Sequence, residues 1–214
     1  MLNKKLYIFG GGSSAINLIE LINKLNLKFD EILIVDDDKF KRNIKKIYGI
    51  NVIKSSSIIK DVLNFGVCSI AQPKLREKIN HEIKKTFKLK TLSLIHPDTK
   101  ISSNVKIGKG VVIFSGVRIN HNSKIGDGCL INFNVDIGHD VKIGSNSSIL
   151  TNVLILGNVR VGNQVLIGAG SKVLNQIKIG NNTKIAFATN VTKNIASNRT
   201  VKQRFELLEF KNLN

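Results

Sequence analysis

Aliphatic side chains recur at every sixth position through the second half of the chain, without a gap. The sixteen positions are Ile101, Ile107, Ile113, Ile119, Ile125, Ile131, Ile137, Ile143, Ile149, Ile155, Val161, Ile167, Val173, Ile179, Ile185 and Val191. An α-helix repeats about every 3.6 residues and a β-strand about every two, so neither produces this spacing. A six-residue repeat is typical of a parallel β-helix, in which three hexads make one triangular coil of about 18 residues. The pattern therefore predicts an all-β domain of about five coils over residues 97–195.

Glycine or asparagine occupies the third position after most of these aliphatic residues. Both residue types tolerate a positive φ, which a sharp corner between two short strands requires. The aliphatic column then fills the interior of the solenoid, and each coil buries its neighbours. Residues 18 positions apart should consequently lie directly above one another.

The first 96 residues follow a different pattern, in which short apolar runs alternate with amphipathic stretches. The predicted strands are 5–9, 31–35, 52–53, 67–70 and 91–95, and the predicted helices are 13–25 and 74–85. Strands that alternate with helices are typical of a parallel βαβ sheet. We therefore expect an α/β half-Rossmann domain over 1–96, followed by the β-helix and by a tail, 196–214, predicted to be helical.

Two short segments after the first two predicted strands form a candidate nucleotide-binding loop. Its residues are Gly10, Gly11, Gly12, Ser13, Ser14, Asp36 and Asp37. Glycines at a strand–helix junction let a phosphate approach the backbone, and the helix N-terminus donates hydrogen bonds to it. Because the domain has the size of one mononucleotide-binding half, a nucleotide or nucleotide-linked sugar is favoured over a dinucleotide. The alternative is a structural glycine turn beside an exposed acidic strand end.

Two histidines, His121 and His139, lie 18 residues apart at the same position of their hexads. They should stack on one edge of the solenoid, with Gly157 directly above His139. Asp140 follows His139 and is placed to fix its tautomer, and histidine is a natural proton acceptor near neutral pH. A surface histidine without a catalytic role is the alternative. No metal is expected, because no further ligand type joins this edge.

A column of basic residues is also spaced by 18 positions: Lys106, Lys124, Lys142, Arg160 and Lys178. Like charges stacked about 5 Å apart repel one another, so the column is either solvated or meets an anion. A phosphate-bearing substrate or CoA is one such anion. Solvated lysines are the simpler explanation.

The composition narrows the class of protein further. Apolar residues make up 42% of the chain, which excludes a disordered protein, and Cys68 and Cys129 do not form a disulfide framework. The net charge of +18 alone would suit a nucleic-acid partner, but aromatic residues are only 6% and are not interleaved with basic ones. With no apolar stretch of membrane-spanning length, we expect a cytoplasmic protein without membrane insertion and without nucleic acid as a partner.

The chain resembles the left-handed β-helix acyltransferases of the PglD/NeuD group, which acetylate nucleotide-linked amino sugars or sialic acid. The resemblance covers nearly the whole sequence, and its most specific segments are 138–140, 157–159 and 167–171. It implies that His139 is the general base, that Asp140 holds it, and that the Gly157 N–H stabilises an oxyanion. It also implies a homotrimer that binds acetyl-CoA between neighbouring solenoids.

The CoA site implied by the resemblance comprises Ser148, Gly168, Ala169, Gly170 and Ala186. The chain departs from the family at several points, among them Ser148, where another histidine is usual, and the absent C-terminal Gly-x-Pro-Ala segment. Together these features predict an acetyl-CoA-dependent N-acetyltransferase for a UDP-linked 4-amino-6-deoxy sugar. An O-acetyltransferase for sialic acid and a catalytically inactive, sugar-nucleotide-binding subunit are the alternatives.

Overall fold

A computed structural model describes residues 4–204, and its first domain is a parallel sheet flanked by helices. The elements in chain order are β1 (Lys5–Phe9), α1 (Ser13–Lys24), β2 (Glu31–Val35), α2 (Asp37–Lys41), β3 (Lys46–Ile47), β4 (Ile50–Ile53), a 3₁₀ turn (Ser55–Ser57), β5 (Phe65–Cys68), α3 (Pro73–Lys85) and β6 (Lys90–Thr91). The sheet order is β3-β4-β2-β1-β5-β6. All neighbours are parallel except β3 and β4, which form a short antiparallel pair.

The α/β prediction for this domain is confirmed, with differences at individual elements. The short helix α2 and the strand β3 were not predicted, and both depend on local turns: Asp36 caps α2, and Tyr48 with a positive φ precedes Gly49 between β3 and β4. The single strand predicted at 91–95 is wrong. The chain leaves the sheet of the α/β domain after Thr91 and enters the β-helix at Leu94. The predicted strand is therefore divided into two short strands that belong to two different sheets.

The remainder of the described chain is a parallel β-helix of two-residue strands. They are β7 (Leu94–Ile95), β8 (Lys100–Ile101), β9 (Lys106–Ile107), β10 (Val112–Ile113), β11 (Arg118–Ile119), β12 (Lys124–Ile125), β13 (Leu130–Ile131), β14 (Asp136–Ile137), β15 (Lys142–Ile143), β16 (Ser148–Ile149), β17 (Leu154–Ile155), β18 (Arg160–Val161), β19 (Leu166–Ile167), β20 (Lys172–Val173), β21 (Lys178–Ile179), β22 (Lys184–Ile185), β23 (Asn190–Val191) and β24 (Thr200–Val201). They form three sheets. The first sheet contains β7, β10, β13, β16, β19, β22 and β24, the second contains β8, β11, β14, β17, β20 and β23, and the third contains β9, β12, β15, β18 and β21.

The register of these sheets confirms the 18-residue coil. From β7 to β20, each strand pairs in parallel with the strand 18 residues later, as Ile119 does with Ile137. The three turns of each coil are named as follows. The first corner joins the first sheet to the second sheet, and the second corner joins the second sheet to the third. The third corner returns the chain from the third sheet to the first. At many corners the third residue after the aliphatic position has a positive φ, Asp140 at 57° among them. The aliphatic column is buried inside, as predicted.

The two domains pack through the outward side of the first sheet. Strand residues that point outward are basic in much of the solenoid, but here Leu94, Val112 and Leu130 are apolar and buried. They share a core cluster with Leu18 and Leu21 of α1. The apolar face of α1 and these three side chains therefore remove each other from water, which holds the domains together.

The boundaries of the two domains shift slightly from the predicted ones. The β-helix begins at Leu94 rather than at residue 97, because Leu94–Ile95 already pairs with Val112–Ile113. The helix predicted for the tail is wrong where the tail is described: Thr200–Val201 adds a strand beside Lys184–Ile185, which satisfies the backbone groups at the end of the first sheet. Residues 205–214 of the predicted tail lie outside the described residues. No helix within residues 4–204 has the length and apolar character needed to cross a membrane.

The basic column predicted from the sequence is present on the third sheet. Lys124 pairs in register with Lys106 and Lys142, and Lys142 with Arg160, and all of them are exposed. In the second sheet, by contrast, the same register places Arg118 against Asp136 as an ion pair. The third sheet therefore carries uncompensated repulsion between directly stacked cations.

We predict that Lys142→Glu stabilises the protein by about 1 kcal/mol, because two repulsive contacts become two attractive ones. Its thermal unfolding midpoint should rise at low salt, and the gain should shrink in about 1 M salt, where charges are screened. Lys172→Glu is the matched control, since Lys172 stacks against the uncharged Leu154 and Asn190. An equal rise in both variants would show that the stacked charges are not the cause.

Candidate active site

His139 lies at the second corner, where the sequence pattern placed it. Its ring stacks on that of His121, with centroids 5.3 Å apart and an interplanar angle of 10°. Its Nδ1 lies 2.8 Å from Oδ2 of Asp140, and the His139 side chain is 48% exposed. The positive φ of Asp140 turns the backbone so that neighbouring side chains meet. The corner therefore presents an imidazole that is oriented on one side and open to solvent on the other.

The electrostatics of the pair fix the state of the carboxylate. The hydrogen bond with His139 holds the pKa of Asp140 below its usual value, and a second hydrogen bond from the Asn122 side chain adds to this effect. Asp140 is thus ionised near neutral pH and accepts the Nδ1 proton of His139. Nε2 of the neutral ring is then the nitrogen with a free lone pair, as a general base requires.

Gly157 lies against the His139 ring, one coil further on. A Cβ added at Gly157 would lie 2.5 Å from Nε2 and 2.7 Å from Cε1 of His139, so only glycine leaves room for the ring. At the third corner, N–H groups in the equivalent position are capped by side chains, as Ser145 N–H is by Asn163 and Asn163 N–H by Asn181. Among residues 4–204 no hydrogen bond involves the Gly157 N–H. A free N–H therefore lies beside the basic nitrogen.

The same cluster has a spacing that a metal ion could use. One ligand atom from each of His121, His139 and Asp140 lies within 4.8 Å of the others. The sequence predicts no metal here, because no further ligand type was expected at this edge, whereas the structure places a carboxylate oxygen of Asp140 beside the two rings. In the structure Asp140 does contact Nδ1, so a metal would have to compete with that hydrogen bond. A chelator control therefore belongs in any test of this corner.

The residues predicted to bind CoA separate into two groups. Gly168, Ala169, Gly170 and Ala186 lie together at the first corner, in two successive coils. Ser148 is elsewhere: it points outward from the first sheet, is 0% exposed, and its hydroxyl has no partner among the described residues. This burial contradicts the assignment of Ser148 to a CoA site, because the protein itself covers the side chain.

The first-corner group and His139 are not adjacent within one chain. The second sheet, with strands such as β14 and β17, runs between the first corner and the second corner. Exposed apolar side chains occur at Leu174, which follows a strand of the second sheet, and at Phe187 at the first corner, 43% and 71% exposed.

A second candidate site opens at the carboxyl ends of the parallel strands of the first domain. The cavity has a volume of about 870 Å³ and lies at the carboxyl ends of β1 and β5, the topological switch point of this sheet, where ligands of α/β sheets usually bind. Gly10, Asp36 and Asp37, three of the residues predicted to bind a nucleotide, line it. Gly10 has φ 98°, and a Cβ there would come within 2.7 Å of Ile70, so the close approach of the two strand ends requires glycine.

Not every predicted member of this loop faces the cavity. Gly11, Gly12, Ser13 and Ser14 do not line the cavity. Asp36 is partly structural, because its two oxygens accept the N–H groups of Gly11 at 2.8 Å and Lys39 at 2.9 Å.

Sequence reasoning missed several residues that line the cavity. They are Ser55, Ser56 and Lys60 after β4, and Leu75, Lys78, Ile79 and Glu82 of α3. The serine run 55–57 after an apolar strand was the one available signal. The contribution of α3 follows from the way the helix packs over the sheet.

Comparisons with known proteins agree with this architecture. The family described as bacterial transferase hexapeptide (six repeats) matches residues 122–157, the coils that carry His139 and Gly157. No curated protein matches the chain. The fold is shared with solved sugar acetyltransferases: a small α/β domain followed by a left-handed parallel β-helix, as the sequence resemblance implied.

Three of these structures cover almost the whole chain. One is a histidine-to-asparagine variant of perosamine N-acetyltransferase from Caulobacter crescentus with CoA and GDP-perosamine, at 24% identity, TM-score 0.85 and 93% coverage of both chains. The acetyltransferase domain of PglB from Neisseria gonorrhoeae, with acetyl coenzyme A, has 24% identity and a TM-score of 0.84 over 94% of this chain and 97% of that one. WeeI from Acinetobacter baumannii has 19% identity, a TM-score of 0.84 and the same coverages.

Proposed function

We propose that the protein is an acetyl-CoA-dependent N-acetyltransferase that acts on the amino group of a UDP-linked 4-amino-6-deoxy sugar. The observation that carries the proposal is the second corner, where an oriented imidazole and a free backbone N–H lie side by side. Acyl transfer needs these two elements: a base for the nucleophile's proton and a donor for the oxyanion. The fold shared with perosamine N-acetyltransferase, whose structure contains CoA and GDP-perosamine, supports the same class of reaction.

The reaction follows from these positions without an acyl-enzyme. The sugar amine attacks the acetyl carbonyl carbon, forming the new C–N bond, while Nε2 of His139 takes the proton that the amine loses. The carbonyl oxygen becomes an oxyanion, which the Gly157 N–H stabilises. The intermediate then breaks its C–S bond, and the CoA thiolate takes the proton from the imidazolium. Asp140 stabilises the charged ring throughout and returns it to the same tautomer.

The cavity of the first domain is proposed to hold the nucleotide of the sugar substrate. Its lining combines the Gly10 turn, the carboxylates of Asp36 and Asp37, and the side chains of Lys60 and Lys78. The lysines suit phosphate groups, and the carboxylates suit ribose or base donors. The acidic and basic groups in one cavity therefore match a nucleotide rather than a purely apolar ligand.

We further propose that the active enzyme is a homotrimer that binds acetyl-CoA between neighbouring solenoids. The first-corner residues Gly168, Ala169 and Gly170 are separated from His139 by the second sheet within one chain. A neighbouring copy would place its first corner beside this His139. The exposed Leu174 and Phe187 would then be covered at the junction.

The test is CoA thiol release from acetyl-CoA, measured with UDP- and GDP-linked amino sugars and with sialic acid, in the presence and absence of a chelator. Release with a UDP-amino sugar, and an acetamido product by mass spectrometry, is the expected result. Release with GDP-amino sugars alone would correct the nucleotide, and release with sialic acid alone would replace N- by O-acetylation. Nucleotide-sugar binding without release of CoA would leave only a binding subunit, and loss of activity with the chelator would replace the general base by a metal.

A further inference from the structure

Arg76 of α3 is a fully buried arginine whose partners are all backbone carbonyls. Its Nε donates to Gly128 O at 2.5 Å, and one terminal nitrogen donates to Cys68 O at 2.9 Å and Ile70 O at 3.0 Å. The other terminal nitrogen donates to Cys129 O at 3.3 Å. The side chain is 0% exposed, and no carboxylate within residues 4–204 forms an ion pair with it. The guanidinium therefore joins two domains through their main chains.

A buried cation without a counter-ion is costly, so the surroundings must compensate for its lost hydration. Burial lowers the pKa of Arg76. The compensation comes from the four carbonyl dipoles. The guanidinium suits this task because its N–H groups diverge in a fixed plane and reach several acceptors at once. Each of those bonds is directional, so together they define one relative orientation of the domains.

Asn80, one helical turn after Arg76, makes a second contact of the same kind. Its Nδ2 donates to Oδ1 of Asn146 at 2.9 Å and lies 3.4 Å from Gly128 O. Residues 128 and 146 are at the third corner of successive coils, and these same coils carry His121 and His139 at the second corner. Helix α3 is therefore fixed to the two coils that carry the stacked histidines.

The same helix lines the nucleotide cavity. Leu75, Ile79 and Glu82 contribute to its wall, as does Ile70, whose carbonyl accepts a hydrogen bond from Arg76. One rigid element thus contacts the cavity and the catalytic coils. The apolar contact between α1 and the first sheet holds the domains together, but hydrophobic contacts are not directional and do not set an angle.

We propose that Arg76, assisted by Asn80, is a positioning residue that fixes the nucleotide cavity relative to the corner bearing His139. This inference rests on the proposed acetyl transfer. The substrate is anchored by its nucleotide in one domain and reacts at the other, so its amino group reaches the acetyl carbon only at one orientation. In an assembly of identical chains, the same orientation sets where each cavity lies relative to every His139.

The test uses the full chain with Arg76→Lys and Asn80→Ala, and with Lys74→Gln as the control, an exposed cation on the same helix. Arg76→Lys keeps the charge but loses the planar set of donors. We expect kcat to fall about 10- to 100-fold in Arg76→Lys and less in Asn80→Ala, since small misplacements of reacting groups have effects of this size. The Kd of the nucleotide sugar and the KM of acetyl-CoA should change less than about threefold, because neither pocket loses a contact.

A second measurement does not depend on turnover. Spin labels at positions 24 and 142, on α1 and the third sheet, report the distance between the domains. The distance distribution should broaden or shift in Arg76→Lys and stay as in the parent for Lys74→Gln, with far-ultraviolet circular dichroism unchanged in both. An unchanged kcat and distance distribution, or a rise in Kd at constant kcat, would overturn the proposal. If the parent protein transfers no acetyl group, the proposed function fails, and the distance measurement still decides the role of Arg76.

Discussion

Replacing His139 by alanine is expected to lower turnover by about 10²- to 10⁴-fold, the usual contribution of a general base. Nε2 is the only nitrogen of the ring left to accept a proton, because Nδ1 is hydrogen-bonded to Asp140. The loss should appear in kcat and not as unfolding, because an exposed side chain at a corner contributes little to the stability of the core. Steady-state rates of CoA release over a range of amino-sugar concentrations would measure it.

The stacked neighbour provides the control for this prediction. His121→Ala removes a ring that packs on His139 without touching the Nδ1 contact. Its effect on turnover should be far smaller than that of His139→Ala, and the thermal unfolding midpoints of both variants should stay near that of the parent. Equal losses in both variants would indicate that the two rings act together, as metal ligands do. An unchanged rate in His139→Ala would remove this residue from the mechanism.

Replacing Gly157 by alanine should lower kcat by about 10²-fold although the backbone N–H is retained, because a misplacement of about 1 Å at a reacting group has effects of this order. The new methyl group would overlap Nε2 and Cε1 of His139, so the ring has to leave its place. Gly157 does not have a positive φ, which means that alanine fits the backbone and the coil stays intact. Parallel measurements of kcat, of the KM of both substrates and of circular dichroism would test this.

A double variant shows whether the effect passes through His139. If Gly157→Ala acts by displacing the imidazole, then His139→Ala combined with Gly157→Ala should be about as slow as His139→Ala alone. Multiplied losses would mean that the methyl group obstructs the substrate or the oxyanion instead. Full activity in the single variant would show that the ring position in the structure is not the one used in the reaction.

The coils of the β-helix and the corner that carries His139 were predictable to residue level. The six-residue spacing, once assigned to triangular coils, placed His121, His139 and Gly157 in one column, and the structure has the two rings stacked and the glycine against His139. The prediction succeeds because a solenoid is nearly one-dimensional: sequence separation translates directly into position along the axis. The corners were predictable for a related reason, since asparagine and glycine tolerate the positive φ that a corner needs.

Predictions failed where a residue depends on something outside its own coil. Ser148 fits the periodic pattern as well as any other outward position, yet it is buried on the side of the first sheet that faces the α/β domain. The run 91–95 reads as one strand, but it is divided between two sheets at the domain junction. The strand at Thr200–Val201 forms because the first sheet still has an unpaired end there.

The sequence by itself determined the repeat, the coil length, the order of the two domains and the column that carries His139, because each depends on local spacing and backbone preference. The tertiary structure decided which surfaces meet: that the first sheet is covered, that α3 lines a cavity at the switch point of the sheet, and that Arg76 is enclosed by carbonyls of both domains. Contacts of that kind join residues some fifty positions apart in the chain, as Arg76 and Gly128 are. No periodicity connects them, so only the folded chain shows that they touch.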